Sequence, residues 1–397
     1  MAGIYVHIPF CRSRCAYCDF FSTTREAEVE KYVGALCYEI AARSHELPST
    51  RTNTIYFGGG TPSLLSAEQL RIILDCIYAN YDVVDDVEVT MEMNPDDVER
   101  CAMHNVRCAM GRGAVNRVSL GIQTFDDNLL QLIRRRHDSG TAVRAVRSLQ
   151  AAGCNNISID LIYGLPGQTL EQWNHDLDIA FSLGIQHLSA YALSYEAGTP
   201  LTRWRNEGSI REVSEEVSVD MYDLLCRRAI ESGFEHYEIS NFAQPGRQSR
   251  HNSSYWTGEP YLGFGPGAHS YDGYCTRRAN TPDLDYYVHC WQSSQDYEAY
   301  EIHEHLTPSD LYDEAVMCGL RTSRGVDLNS IRHRFGPQSL DYLLRMAAPH
   351  ILAQRLVERD GHLCLTRQAL MVSDDVMSDL MADDDLIKNG INKPNIK

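Results

Sequence analysis

Three cysteines, Cys11, Cys15 and Cys18, stand in a C-x3-C-x2-C arrangement just after a short apolar run from Ile4 to Ile8. That spacing lets three thiolates converge from one sharply curved loop. Structural zinc takes four protein ligands, and no further Cys or His stands at the paired spacing such sites use, so His7 would have to complete the tetrahedron. A 4Fe-4S cluster on three cysteines instead leaves one iron open to a small molecule, whereas an electron-transfer cluster normally takes four. A third reading leaves these cysteines as small buried hydrophobes. The chain holds 13 cysteines, an odd number and otherwise scattered, which is not the pattern of a secreted disulfide framework.

The elements that must position this loop can be read from hydrophobic periodicity. Apolar runs at 4–8, 54–57, 87–93, 115–120, 157–162 and 187–192 predict strands. Helical segments at 25–47, 66–81, 97–110, 126–152 (broken at Gly140) and 169–183 alternate with them. Six such units predict an α/β fold, an open partial (β/α)6 TIM-type barrel over residues 1–235. Functional loops then follow the C-terminal ends of strands. The chemically distinctive residues fall there: the cysteines after the first strand, Gly58-Gly59-Gly60-Thr61-Pro62 after the second, Asn94-Pro95 after the third and Gln123 after the fourth. After a helix at 213–232, residues 236–304 form an aromatic, Gly-rich segment expected to cover the sheet's open face. Residues 305–375 read as short helices (310–320, 327–334, 338–354) and a hairpin turning at Asp360-Gly361, a small helical, winged-helix-like domain. A polar tail, 376–397, is expected to be disordered.

The loop Cys11 to Cys18 on a first strand resembles the signature of radical S-adenosylmethionine (SAM) enzymes. Within them, Tyr5-Val6-His7-Ile8-Pro9-Phe10-Cys11 is similar to the branch of oxygen-independent coproporphyrinogen III oxidase and its haem-chaperone relatives. The resemblance implies a 4Fe-4S cluster on Cys11, Cys15 and Cys18, and SAM on the cluster. It implies that Tyr5, Gly59 and Glu92 position that cofactor, with Glu92 accepting from ribose hydroxyls. It further implies that Tyr17, Gly60, Thr61, Gln123, Arg135 and Asp160 line the adjoining pocket. By composition alone, Arg135 in Arg134-Arg135-Arg136-His137 would be a solvated helix face.

The oxidase branch carries another cysteine where this chain has Phe20, and it has residues before the first strand that this sequence lacks. Both departures favour the haem-chaperone branch. So does His251-Asn252-Ser253-Ser254-Tyr255-Trp256, which matches an H-N-x-x-Y-W motif of that branch. Its histidine would be an axial ligand to haem, with Tyr255 and Trp256 packed on the porphyrin. Without the family, the same residues read as a loop cap and ring filling. His269, in the Gly-rich run that follows, is a second candidate ligand. The implied function is delivery of haem, as cargo, to apo-haemoproteins, with a small electron donor serving the cluster; coproporphyrinogen dehydrogenase activity is not expected. The alternative is a radical oxidase of porphyrin biosynthesis, in which SAM cleavage starts decarboxylation of porphyrinogen propionates.

Composition sets limits on partners. The formal net charge is −18, which repels phosphate backbones, and residues 307–372 carry eight arginines against seven acids. Nucleic acid is not an expected partner, and a winged-helix regulator with a redox cluster is correspondingly disfavoured. No run approaches the length of a membrane span and no targeting segment is evident, so the expected setting is cytoplasmic.

Overall fold

The computed structural model describes residues 1–47, 51–101, 115–293, 300–383 and 386. Six parallel strands lie in sequence order: β1 (Ala2–Ile8), β2 (Thr52–Gly59), β3 (Val83–Met93), β4 (Arg117–Gln123), β5 (Ile157–Tyr163) and β6 (His187–Ala192). Helices α1 (Val29–Ala42), α2 (Ala67–Asn80), α3 (Pro95–Cys101), α4 (Asp127–Leu132), α5 (Ser139–Ala151), α6 (Leu170–Ser182), α7 (Pro200–Asn206) and α8 (Glu215–Glu231) are interleaved with them. Parallel strands need such crossovers, and the result is the expected open (β/α)6 arrangement. Local sequence starts the helices where they begin: Ser66 with Gln69 and Thr169 with Gln172 form reciprocal capping boxes on α2 and α6.

The period-two pattern of the strands decides where the core lies. One face carries Ile4, Val6, Ile8, Ile55, Phe57, Val89, Met91, Val118, Leu120, Ile159, Leu161 and Leu188, all buried against the helices. The other face carries Tyr5, His7, Tyr56, Glu92, Arg117, Ser119, Asp160 and Ser189. Hydrophobic burial therefore stabilises the shell between sheet and helices, and polar and aromatic side chains fill the concave interior.

The segment 236–304 behaves differently from the covering layer expected of it. It extends the sheet at both ends, giving the order β12-β11-β10-β9-β1-β2-β3-β4-β5-β6-β8-β7. Strands β7 (Glu235–Glu238) and β8 (Asn241–Ala243) continue antiparallel from β6, while β9 (Tyr261–Phe264) runs parallel beside β1. Strands β10 (His269–Tyr271), β11 (Thr276–Asn280) and β12 (Glu301–His305) complete that edge, and α10 (Leu284–Ser293) packs on α1. Between them α9 (Arg250–Trp256), which carries the H-N-x-x-Y-W residues, closes the N-terminal end of the barrel. The Glu88 carboxylate of β3 accepts the backbone N–H of Arg250 and His251 at 3.0 and 3.2 Å.

Two other expectations need correction. The break in 126–152 falls at 133–138, before Gly140, because Asp138 caps α5 by accepting from the Thr141 N–H at 2.7 Å. The tail is ordered at its start: Ser373–Asp379 is a helix (α14), with Val376, Met377 and Leu380 buried in the C-terminal core. The polar sequence masks three apolar side chains at helical spacing. The outer part of the tail (387–397) and the second half of the helix predicted at 97–110 lie outside the described residues.

The C-terminal unit has α11 (Pro308–Arg321), α12 (Leu328–Phe335), α13 (Pro337–Leu352) and a small sheet of β13 (Val326–Asp327), β15 (His362–Leu365) and β14 (Leu356–Arg359). Its hairpin turns at Asp360-Gly361, both at positive φ, which suits the primed turn of a tight hairpin. It docks on the barrel through Ile239 N–H to Arg321 C=O (3.1 Å) and through the Arg321 guanidinium, which lies 4.8 Å from the Trp256 ring centre. No described helix is long and apolar enough to cross a membrane.

Candidate functional site

The three cysteines are free thiols on the loop after β1, at the mouth of a cavity of about 450 Å³. Asn94 links two of them. Its Nδ2 donates to Thr61 Oγ1 (3.1 Å), which donates to Cys11 Sγ (3.4 Å), while its Oδ1 accepts from Arg135 Nη2 (2.7 Å). Arg135 Nη1 lies 3.3 Å from Cys15 Sγ, and its Nη2 also bonds the Gly121 carbonyl. The arginine reaches inward because the chain turns at Arg134, φ +60°, in the α4–α5 break. Burial pushes the Cys18 thiol up to about 11 and raises that of Cys11. Holding three thiolates here therefore calls for a strongly positive centre.

The zinc reading fails on geometry. Among the described residues no three His, Cys, Asp or Glu side chains are close enough to hold a single ion. His7, its supposed fourth ligand, is bonded through Nε2 to the Phe21 carbonyl (2.9 Å) and through Nδ1 to Tyr5 (3.1 Å). A cluster on these three thiols, which all line one cavity, would leave its remaining iron open to a ligand there.

Tyr17, Gly59, Gly60, Thr61, Glu92, Gln123, Arg135 and Asp160 all line the same cavity. The glycines answer first to the protein's own packing. A Cβ on Gly60 would sit 2.8 Å from the carbonyls of Ile8 and Phe10, and one on Gly59, at φ +102°, would sit 2.5 Å from the His7 ring. Glu92 accepts from Tyr56 Oη (2.7 Å) and the Gly59 N–H (3.2 Å), yet burial still raises its pKa to about 7. Burial likewise raises Asp160, which accepts from Ser119 Oγ at 3.1 Å. Gln123 ends β4 at φ +72° beside an irregularity in the ladder, a strained backbone of the kind that gathers at working sites.

Tyr5 is not brought to this cavity. Its ring lines a second, aromatic chamber of about 280 Å³, with His7, Phe20, Phe21, Tyr255, Tyr261, Gly267 and His269. Phe20, 64% exposed, borders both chambers. The α9 helix forms a shared floor, with Asn252 facing the first chamber and Tyr255 the second.

His251 is not the open ligand that its motif led us to expect. It is 1% exposed, its ring lies against Tyr5 and Tyr56, and both nitrogens are engaged, Nδ1 with Thr54 Oγ1 and Nε2 with Tyr255 Oη, each at 2.8 Å. Burial lowers its pKa to about 3, so the imidazole is neutral. Trp256 reaches neither chamber, because its ring is covered by Arg321 of the C-terminal unit. His269 is exposed at the chamber wall.

The motif reading missed Tyr56, Arg117, Ser119, Ser189 and Asn252 as cavity residues, and singled out Asn94 only as a strand-end residue. The signal was available for the strand residues: Arg117 and Ser119 share strand parity with the inner face of β4, and Tyr56 with Gly58. For Asn252 no periodic signal exists, since it depends on where α9 docks.

Comparison with known proteins bears on both halves. Residues 5–180 match the radical SAM superfamily and residues 306–372 the HemN C-terminal domain. A Bacillus subtilis protein, heme chaperone HemW, is 34% identical over 95% of this chain and 98% of its own length. A Synechocystis protein of the same name is 38% identical over 81% of this chain and 78% of its own. The mitochondrial radical S-adenosyl methionine domain-containing protein 1 of Danio rerio is 32% identical over 82% and 74%. The structure of Escherichia coli coproporphyrinogen III oxidase (HemN) shares the fold, with a TM-score of 0.79 at 22% identity over 96% of this chain and 90% of that one.

Proposed function

Because the chain belongs to the heme chaperone HemW family and carries a radical SAM domain, we propose that it binds haem and passes it to apo-haemoproteins, holding a 4Fe-4S cluster and SAM beside that cargo. The observation that carries this reading is the pairing of chambers: a thiol-rimmed, charged one and an aromatic one, with the H-N-x-x-Y-W helix beneath both.

Cys11, Cys15 and Cys18 would hold the cluster in this proposal, and the cluster would supply one-electron chemistry and an iron left open to SAM. Glu92 holds the ribose hydroxyls through a carboxylate oriented by Tyr56 and Gly59. Arg135 lends positive charge to Cys15 and fixes the Asn94 and Thr61 contacts around Cys11. Gln123 and Asp160 meet the rest of the cofactor. A small electron donor would supply electrons to a cluster held there.

Haem enters the aromatic chamber, where Tyr5, Phe21, Tyr255 and Tyr261 offer apolar faces. His251 is its axial ligand. With Thr54 accepting the Nδ1 proton, Nε2 carries the lone pair, the orientation that a metal-bound histidine commonly shows. The Tyr255 hydroxyl occupies that lone pair until iron replaces it, so ligation requires one hydroxyl to move aside.

Haem titration of the His251→Ala and Tyr255→Phe proteins tests this. His251→Ala is expected to shift the Soret band and speed haem loss with iron and sulfide of the cluster intact. Tyr255→Phe, which has no hydroxyl to displace, is expected to bind haem several-fold faster at about the strength of one neutral hydrogen bond. An unmoved Soret band in His251→Ala transfers the ligand role to His269.

A further inference from the structure

Arg117 opens β4 on the concave face, six residues before Gln123, and it is 1% exposed although it lines the charged chamber. Among the described residues its guanidinium makes no ion pair, and its Nε has no hydrogen-bond acceptor. A buried cation is normally kept only when paired or hydrogen-bonded. The nearest acids, Glu92 and Asp160, act on it only beyond ion-pair distance, their carboxylates hydrogen-bonded to Tyr56 and the Gly59 N–H and to Ser119. The neutral donors Ser119, Ser189 and Asn252 line the same chamber.

We propose that Arg117 is the receptor for a ligand carboxylate at the floor of the charged chamber. A guanidinium presents a planar fork of donors that matches a carboxylate in two parallel hydrogen bonds. The two acids on the same wall disfavour a doubly charged phosphate but tolerate a single negative charge. Arg117 stands six positions before Gln123 on β4, about 20 Å of rise, which sets it at the opposite end of that strand from Gln123. Two sources share this chemistry, a porphyrin propionate and the amino-acid end of a further SAM molecule. Assigning the first source rests on the haem reading above; the carboxylate site itself does not.

The test uses cluster-loaded protein labelled with [15N]arginine, in which the Nε–Hε resonance lost in Arg117→Lys reports this side chain. Sodium propionate is expected to move that resonance saturably. Protoporphyrin IX is then compared with its dimethyl ester, and SAM with its carboxyl methyl ester. The true source should bind about 10- to 100-fold more tightly as the free acid, with that preference lost in Arg117→Lys and affinity for the ester unchanged. A propionate shift with no discrimination between porphyrin acid and ester upholds the site and removes porphyrin as its source. An unmoved resonance, together with equal affinity of acid and ester for wild-type protein in both pairs, overturns the proposal without recourse to any variant.

Discussion

The two chambers share a floor and a border residue, yet they are built from opposite materials. The thiol-rimmed one is walled by ionisable groups, Glu92, Arg117, Arg135 and Asp160, with burial raising the pKa of Glu92 to about 7 and that of Asp160 above its ordinary value. The aromatic one is walled by rings, and burial lowers the pKa of His7 in its wall to about 4 and that of His251, beneath Tyr255, to about 3. The first suits polar ligands whose charges replace missing partners. The second suits a flat apolar ligand that asks for lone pairs. Under the proposed function, SAM and haem would be told apart by the different desolvation costs of the two walls.

The largest expected effect is on the rim. Replacing Cys11, Cys15 and Cys18 together by Ala should abolish cluster iron and sulfide while leaving haem affinity within about threefold of wild type, a change under 1 kcal/mol. Loss of both would mean that the chambers are one site. Next comes Glu92→Gln, which should weaken SAM by about 10- to 100-fold through loss of a charge-assisted acceptor and leave the Soret titration unchanged. Equal binding by the variant would reassign Glu92 to holding Tyr56 in place.

The smallest effect is on stability against pH. Glu92 is raised in the fold, from 4.5 to about 7, so the unfolded chain gives up this proton earlier than the native one. Its contribution is fully present below 4.5 and is lost as pH rises to 7. In ligand-free protein, denaturant unfolding should show Glu92→Gln gaining stability over wild type across that window, with a constant difference above it. His251 and His7 act in the other direction: each is lowered from 6.5, so their contribution is lost as pH falls from 6.5 toward 3 or 4. A Glu92→Gln difference that shrinks with rising pH would contradict the assignment.

The cluster loop, the glycine motif and the barrel order were legible because each depends on short-range spacing: thiols within one loop, glycines at a strand end, six apolar runs at regular intervals. What escaped was set by docking. His251 and Trp256 stand on a seven-residue helix whose surroundings come from β1, β2, β3 and α11, none of them near in sequence. That Tyr5 lines a different chamber from the glycine motif was not legible, because two inner-face neighbours, Tyr5 and Tyr56, pair across β1 and β2 yet border different spaces. Likewise the segment 236–304 carries strand signals too short to reveal that they would join two distant edges of one sheet.

The alternation along the strands has one more consequence. Since Val118, Leu120, Ile159 and Leu161 pack outward and Arg117, Ser119 and Asp160 inward, the residues that pack the barrel and those that line its cavity are interleaved but disjoint. Changes at every second position can explore new chemistry at little risk to the scaffold, a separation of duties that gives this barrel room to diverge.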